Sequence, residues 1–243
     1  MNQTSTRSLM DVHPRELKEI VGDLPPLPVV FQELFRMMRD PDIQVPVLAE
    51  FISRDQALTT KILKLVNSAF YGRPSQVTTI SRAVVIMGFQ AVRSAALAIG
   101  VFEHFKGVAA RGGFDLRGFW QHSIACACIA KQISRDLKVA GPEDAFVVGL
   151  LHDVGKLVMM RYFSDDVEQL CRAAADHQLT WLACEDALFA VGHTTIARSV
   201  FRSWDFPDAV VEAVAFHHLP QKASRHAELT AIGHVADYLA HAT

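Results

Sequence analysis

Eleven histidines in a chain of 243 residues, with the carboxylates near them, are the side chains best placed to do chemistry. His122 sits in a long uncharged segment and His152-Asp153 in an apolar one; His193 follows Gly192, His217 and His218 are adjacent, and Asp237 lies near the end. Imidazole nitrogens and carboxylate oxygens are the ligands of Zn, Mn and Fe, and a carboxylate shared by two ions holds them about 3.5–4 Å apart. Such a centre generates hydroxide and clamps a phosphoryl group. Asp153 is the telling residue: Leu150, Leu151, Val154 and Leu157 surround it with apolar sequence, and a buried carboxylate needs a paired charge or a metal. Lys156, three residues on, reaches either that carboxylate or a phosphate.

Each candidate also has a plainer reading. His122, beside Ile124, Ala125 and Ala127, fits a satisfied core histidine. His193 fits a helix start, His217-His218 a helix C-terminus favoured by the dipole, and Asp237 a solvent-facing carboxylate with His234 one turn before it. Two successive residues of a helix point about 100° apart, so His217 and His218 are not expected to face the same way. Glu185, between Cys184 and Asp186, reads as a solvated helix charge. His13, His104, His177, His226 and His241 lie beside charged or terminal segments and read as surface residues. The spacings are not those of a compact H-E-x-x-H site, so they single out no metal by themselves.

The elements that must position these residues are helices. Apolar residues recur three and four apart, and no alternating run is bounded by hairpin turns. A short helix from about Pro14 to Val21 is separated from the next by Leu24-Pro25-Pro26-Leu27-Pro28, because proline lacks the donor N–H. Val30, Phe31, Leu34, Phe35, Met37 and Met38 form the apolar stripe of that next helix, which Pro41 stops. Val45 to Ser53 is amphipathic; Asp55 and Thr79 read as N-caps; Asn67 to Gly72 is a loop, with Phe70 and Tyr71 most simply serving the packing of the two halves; and Gly88 breaks or kinks a helix. After Gly112-Gly113 come a helix from about Asp115 to Leu137 and another starting at Pro142, whose apolar stretch Phe146 to Met160 carries His152 and Asp153. Ser164 and Thr180 read as further caps, and Thr194 to Trp204, Pro207 to His217 and Ser224 to His241 as the remaining helices. The organisation expected is an N-terminal extension over residues 1–23, a helical half over 24–110 and a second helical half over 111–243.

Composition excludes several classes. Half the residues are apolar, 21% are charged and the net charge is −2, which fits neither a disordered nor a collagen-like chain. Four irregularly spaced cysteines, Cys126 among them, read as small core residues in a reducing compartment. The longest uncharged run, Gly118 to Ala130, falls well short of the ~20 residues a membrane span requires. With no apolar leader at the N-terminus either, a cytoplasmic protein is expected. Balanced charge without a basic recognition helix argues against reading Asp55 to Gly72 as a helix-turn-helix, and against nucleic acid generally.

In sequence order, Phe119-Trp120-Gln121-His122-Ser123, Gly149-Leu150-Leu151-His152-Asp153-Val154-Gly155-Lys156-Leu157, Gly192-His193, Trp204-Asp205-Phe206-Pro207 and Ala215-Phe216-His217-His218 resemble the HD phosphohydrolase superfamily. Leu24 to Pro28, Ser53-Arg54-Asp55-Gln56-Ala57-Leu58, Val66 to Gly72 and Ile80 to Gly88 narrow the resemblance to its HDOD (HD-related output domain) branch. The resemblance runs from about Leu24 to Asp237. It implies an all-α fold, an N-terminal helical subdomain packed on an HD-like one, and a bacterial signal-transduction module acting through signalling proteins or a nucleotide or phosphate ligand. In the related HD-GYP phosphodiesterases, metal is held by positions matching His122, His152, Asp153, His193, His217, His218 and Asp237, with Glu185 at a further acidic position. The chain departs from HD-GYP in that Leu219-Pro220 follows the histidine pair and no Gly-Tyr-Pro loop precedes Asp237. A regulatory module is therefore the leading expectation. The alternative is a metal-dependent phosphohydrolase with Fe, Mn or Zn, in which Asp153 holds the metal and Lys156 steadies the phosphate.

Overall fold

Four side chains set helix starts as their types dictate. Asp55, Thr79, Asp115 and Thr180 accept hydrogen bonds from the backbone N–H groups of Leu58, Arg82, Gly118 and Ala183, each satisfying a donor that has no partner within its own helix. The structure, a computed structural model, describes residues 8–9, 22, 29–38, 43–68, 76–108 and 113–242. Among these residues every regular element is helical and there is no strand. The expected helix at Pro14 to Val21, the proline-rich stretch Leu24 to Pro28, and Phe70 and Tyr71 lie outside them, as do the side chains of Val30, Phe35 and Met38.

The chain divides into two compact units: Pro26–Lys106, and Met1–Pro25 together with Gly107–Thr243. In the first, the helices are α1 (Val29–Met38), α2 (Val45–Ser53), α3 (Gln56–Val66), α4 (Ile80–Met87) and α5 (Phe89–Phe105). Leu34, Leu48, Ile52, Ile62 and Ile80 are fully buried among them. Gly88, at φ +90°, turns the chain by 116° between α4 and α5, a backbone state that glycine adopts without strain. Asn67 closes the segment after α3 by donating to the carbonyl and accepting from the N–H of Val77, both at 2.7 Å.

The second unit contains α6 (Leu116–Leu137), α7 (Pro142–Leu151), α8 (Val154–Tyr162), α9 (Ser164–His177), α10 (Trp181–Leu188), α11 (His193–Ser203), α12 (Asp208–Phe216) and α13 (Ala227–His241), with a 3-10 turn at Pro220–Lys222. Its core includes Cys126, Val148, Leu157, Val158, Leu170, Val200 and Phe201, all fully buried. Near the start of the chain, Ser8 and the N–H of Leu9 bond the two oxygens of Asp166 at 2.8 Å, and Leu9 is itself fully buried. No single helix among the described residues is long and apolar enough to cross a membrane.

Two local expectations are corrected. The apolar stretch Phe146 to Met160 is not one helix: α7 ends at Leu151, a turn takes His152 and Asp153, and α8 starts at Val154. Just past the break, Gly155 packs against the carbonyl of His193, where a Cβ would clash. Ser164 is not a cap but the first residue of α9, with Phe163 in the cap position and no side-chain cap bond.

Gly149 likewise lets α7 lie directly on α6, since a Cβ there would come within 2.6 Å of the Cys126 carbonyl. Gly149→Ala and Gly155→Ala are each expected to lower stability by about 1–3 kcal/mol or more in urea denaturation. Gly107, with nothing within 4 Å of a built Cβ, serves as the control, and Gly107→Ala should be near neutral. Equal effects at all three positions would contradict this account of the packing.

Candidate metal centre

Three histidines reach the centre from fixed anchors. His152 Nδ1–H donates to the Gly149 carbonyl and His217 Nδ1–H to the Val214 carbonyl, both at 2.8 Å. His193 Nδ1–H donates to Glu185 Oε2 at 2.6 Å, while the other Glu185 oxygen takes the His193 backbone N–H at 2.7 Å. Each anchor fixes the ring and turns Nε2 inward, as metal-binding histidines are held. The helix break aids this: residue 152 caps α7 and residue 153 precedes α8, so imidazole and carboxylate converge in a turn rather than diverging along a helix.

The side chains form two groups whose ligand atoms lie within 4.8 Å of one another: His122, Cys126, His152 and Asp237, and Asp153, His193, His217 and His218. The two carboxylates straddle the groups. Asp153 places Oδ2 3.4 Å from His152 Nε2, and Oδ1 3.2 Å from His193 Nε2 and 3.8 Å from His217 Nε2. Asp237 places Oδ1 3.0 Å from His122 Nε2 and 3.5 Å from His152 Nε2, and Oδ2 3.7 Å from His218 Nδ1. Lys156 Nζ meets Asp153 Oδ2 at 2.6 Å.

Five atoms in this cluster are buried without a hydrogen-bond partner: Nε2 of His152, His193, His217 and His218, and Oδ1 of Asp153. Buried polar atoms are paired in nearly all cases, so five unpaired ones in a single spot call for an explanation. Adjacent ligands around an ion with bonds of about 2.1 Å stand about 3.0–3.4 Å apart, close to the separations found here. The donor set fits a divalent metal.

The electrostatics agree. Burial raises the Asp153 carboxyl, but Lys156 and His152 outweigh it and hold the group well below the ordinary carboxylate range. Burial pulls His152 down, yet Asp153 and Asp237 lift it to about 10; His193 is raised against its burial by Asp153 and Glu185. Burial and the neighbouring imidazoles keep His217 well below its usual value, and burial with the charge of His193 lowers His218 to about 4. Without metal, the proton on His152 offsets carboxylate charge; with metal, that proton must leave.

The structure brings His122, His152, Asp153, His193, His217, His218 and Asp237 together, with Lys156 beside them. His217 and His218 do face one region, their ring centroids 4.0 Å apart at the end of α12. Glu185 is corrected: it is not solvated but 1% exposed, and it orients His193. His241 stacks on His122 at 4.2 Å and puts Nε2 3.4 Å from Asp237. Cys126 is core as expected, but its Sγ also lies 3.3 Å from His122 Nε2, a pairing signalled by the four-residue spacing on one helix. His234 supports the site from outside by donating to the His217 carbonyl at 2.7 Å.

Metal affinity should therefore rise with pH through the neutral range, because His152, with a pKa of about 10, must lose its proton to bind. Calorimetry at pH 7.5 in buffers of different ionisation enthalpy should show at least one proton released per metal-loaded protein, and no buffer dependence would contradict this charge assignment. Glu185→Gln should weaken metal binding by roughly 10- to 100-fold, as loss of an orienting partner does elsewhere.

The family model described as HDOD domain matches residues 24–220. An HDOD domain protein of unknown function from Geobacter sulfurreducens is similar in structure, with a TM-score of 0.82 and 25% identity over 93% of this chain and 76% of its own. A candidate phosphohydrolase from Shewanella amazonensis SB2B has a TM-score of 0.80 and 28% identity, covering 96% of this chain and 81% of its own. An uncharacterized protein of Treponema pallidum (strain Nichols) is 26% identical over 220 residues, 89% of this chain, while the chain spans 41% of that relative's length. With its motifs in order and the family match extending over residues 24–220, the chain belongs to the HDOD domain family.

Proposed function

We propose that this chain is a metal-dependent phosphoester hydrolase within a signalling protein. One observation carries the reading: Nε2 of His152, His193 and His217 and Oδ1 of Asp153 are buried without a hydrogen-bond partner, and the three imidazole nitrogens stand 3.2 to 3.8 Å from the oxygens of Asp153. That observation favours the hydrolase and reverses the order in which the sequence alone ranks the two readings.

His122, His152 and Asp237 on one side, and Asp153, His193, His217 and His218 on the other, would hold Fe, Mn or Zn. A divalent ion there lowers the pKa of a coordinated water and draws charge from a phosphoryl oxygen. Lys156 keeps two ammonium donors beyond its bond to Asp153 and presents them to an arriving phosphate. A cavity of about 590 Å³ opens beside the cluster, lined by Asp153, Lys156, His122 and His241 and walled by Phe114 and Trp181. These two rings meet edge to face at 5.6 Å, and the Lys156 ammonium lies 5.4 Å above the Trp181 ring. The volume suits a nucleotide-sized phosphoester.

The test is elemental analysis of protein purified without chelator, alongside hydrolysis of bis(p-nitrophenyl) phosphate. The expected result is near-stoichiometric metal and measurable turnover, both lost in Asp153→Ala. Lys156→Gln should keep metal while losing roughly 100-fold in rate, the usual effect of removing one positioned donor. Folded protein that takes up no metal on addition would overturn the reading, leaving a binding module for signalling proteins or a nucleotide. Full occupancy without hydrolysis would keep the centre and overturn the enzyme.

A further inference from the structure

A second cavity, of about 470 Å³, lies among α11, α12 and the segment before α13, and none of its lining belongs to the metal cluster. Four cations line it: Arg198 and Arg202 from α11, Lys222 from the 3-10 turn and Arg225 beyond it. The chain carries a net charge of −2, so this concentration is local and does not reflect a basic composition.

Two carboxylates share the lining, Asp208 and Glu212. Glu212 is already committed to the backbone. Its Oε1 accepts from the N–H and hydroxyl of Ser224, and its Oε2 from the N–H groups of Arg225 and His226, at 2.6 to 3.1 Å. It therefore shapes the loop that presents Lys222 and Arg225 and is not free to pair with them. Arg198 lies over the Phe216 ring at 5.8 Å, within reach of a cation–π contact. Arg202 follows it by one helical turn, on the same side of α11, so two like charges stand side by side at a cost that a bound anion would relieve. Planar guanidinium groups match the oxygens of a phosphate in pairs, which a lone carboxylate ligand cannot fully use.

We propose that this cavity is a second binding site, separate from the metal centre, for a small phosphate-bearing anion. It does not depend on the hydrolase reading, since it uses none of the residues that hold metal. The groups that carry it are Arg198, Arg202, Lys222 and Arg225.

The probe is inorganic phosphate, titrated calorimetrically into the whole chain after chelator treatment, at low and at high salt. Saturable binding is expected, weakening as salt rises. Arg198→Gln and Arg202→Gln should each reduce affinity by about 10-fold or more, the loss of one charge-assisted contact. Asp153→Ala should leave this binding intact, which separates the site from phosphate captured at the metal centre. Three results would overturn the proposal: no saturation before phosphate exceeds the buffer salt, binding abolished by Asp153→Ala but untouched by the arginine variants, or an arginine-dependent preference for an oligoglutamate peptide or single-stranded DNA over phosphate.

Discussion

Burying a carboxylate is costly unless positive charge or donors surround it, and the second unit is organised around meeting that demand at Asp153. The group is 3% exposed. Lys156 reaches it from the first turn of α8, His152 from the preceding residue, His193 from the start of α11 and His217 from the end of α12. Four elements are thus fixed relative to one side chain. The close approach of Gly155 to the His193 carbonyl serves the same end, since it brings α11 near enough for its first residue to face Asp153.

Asp237 repeats the pattern from the other end of the unit. Its carboxyl is held well below the ordinary range, because the bond with His122 and the nearby His152 imidazole outweigh the effect of burial. One carboxylate comes from the turn between α7 and α8 and the other from α13, and each faces both groups of ligands. This sharing makes the centre a single electrostatic unit: the charge on any one imidazole depends on both carboxylates. Glu185 extends the set outward, fixing the ring of His193 without touching the interior of the site.

Much of this was legible in the sequence where the signal is local. Asp55, Thr79 and Thr180 cap helices because their side chains and positions suffice to do so. The apolar neighbours of Asp153 announced its burial, and the family motifs carried the remaining ligands. What escaped is tertiary in origin. The run around His152 keeps helical periodicity throughout, so nothing local signals the break at residues 152–153, nor that Gly155 meets a carbonyl 38 positions later in the chain. Glu185 stands next to Asp186 in a short helix, which does not tell a solvated charge from a buried one, and its bonds to the start of α11 accompany its burial. His241 looked terminal and exposed, and its ring still finds His122 across the pairing of α6 and α13.

The bond between Leu9 and Asp166 bears on how the chain folds. It joins residues 157 apart, and the whole of Pro26–Lys106 lies between them in sequence. The second unit therefore draws on both sides of an inserted segment, and this stitch forms only after that segment has been synthesised. The entropy of closing so long a loop is modest, about 0.6 kcal/mol more than for one half as long. The kinetic effect is larger, because contacts this distant in sequence slow the search for the native state. An independently compact Pro26–Lys106 unit shortens the effective loop once it has folded, so the order in which the two units fold sets how quickly the second one closes.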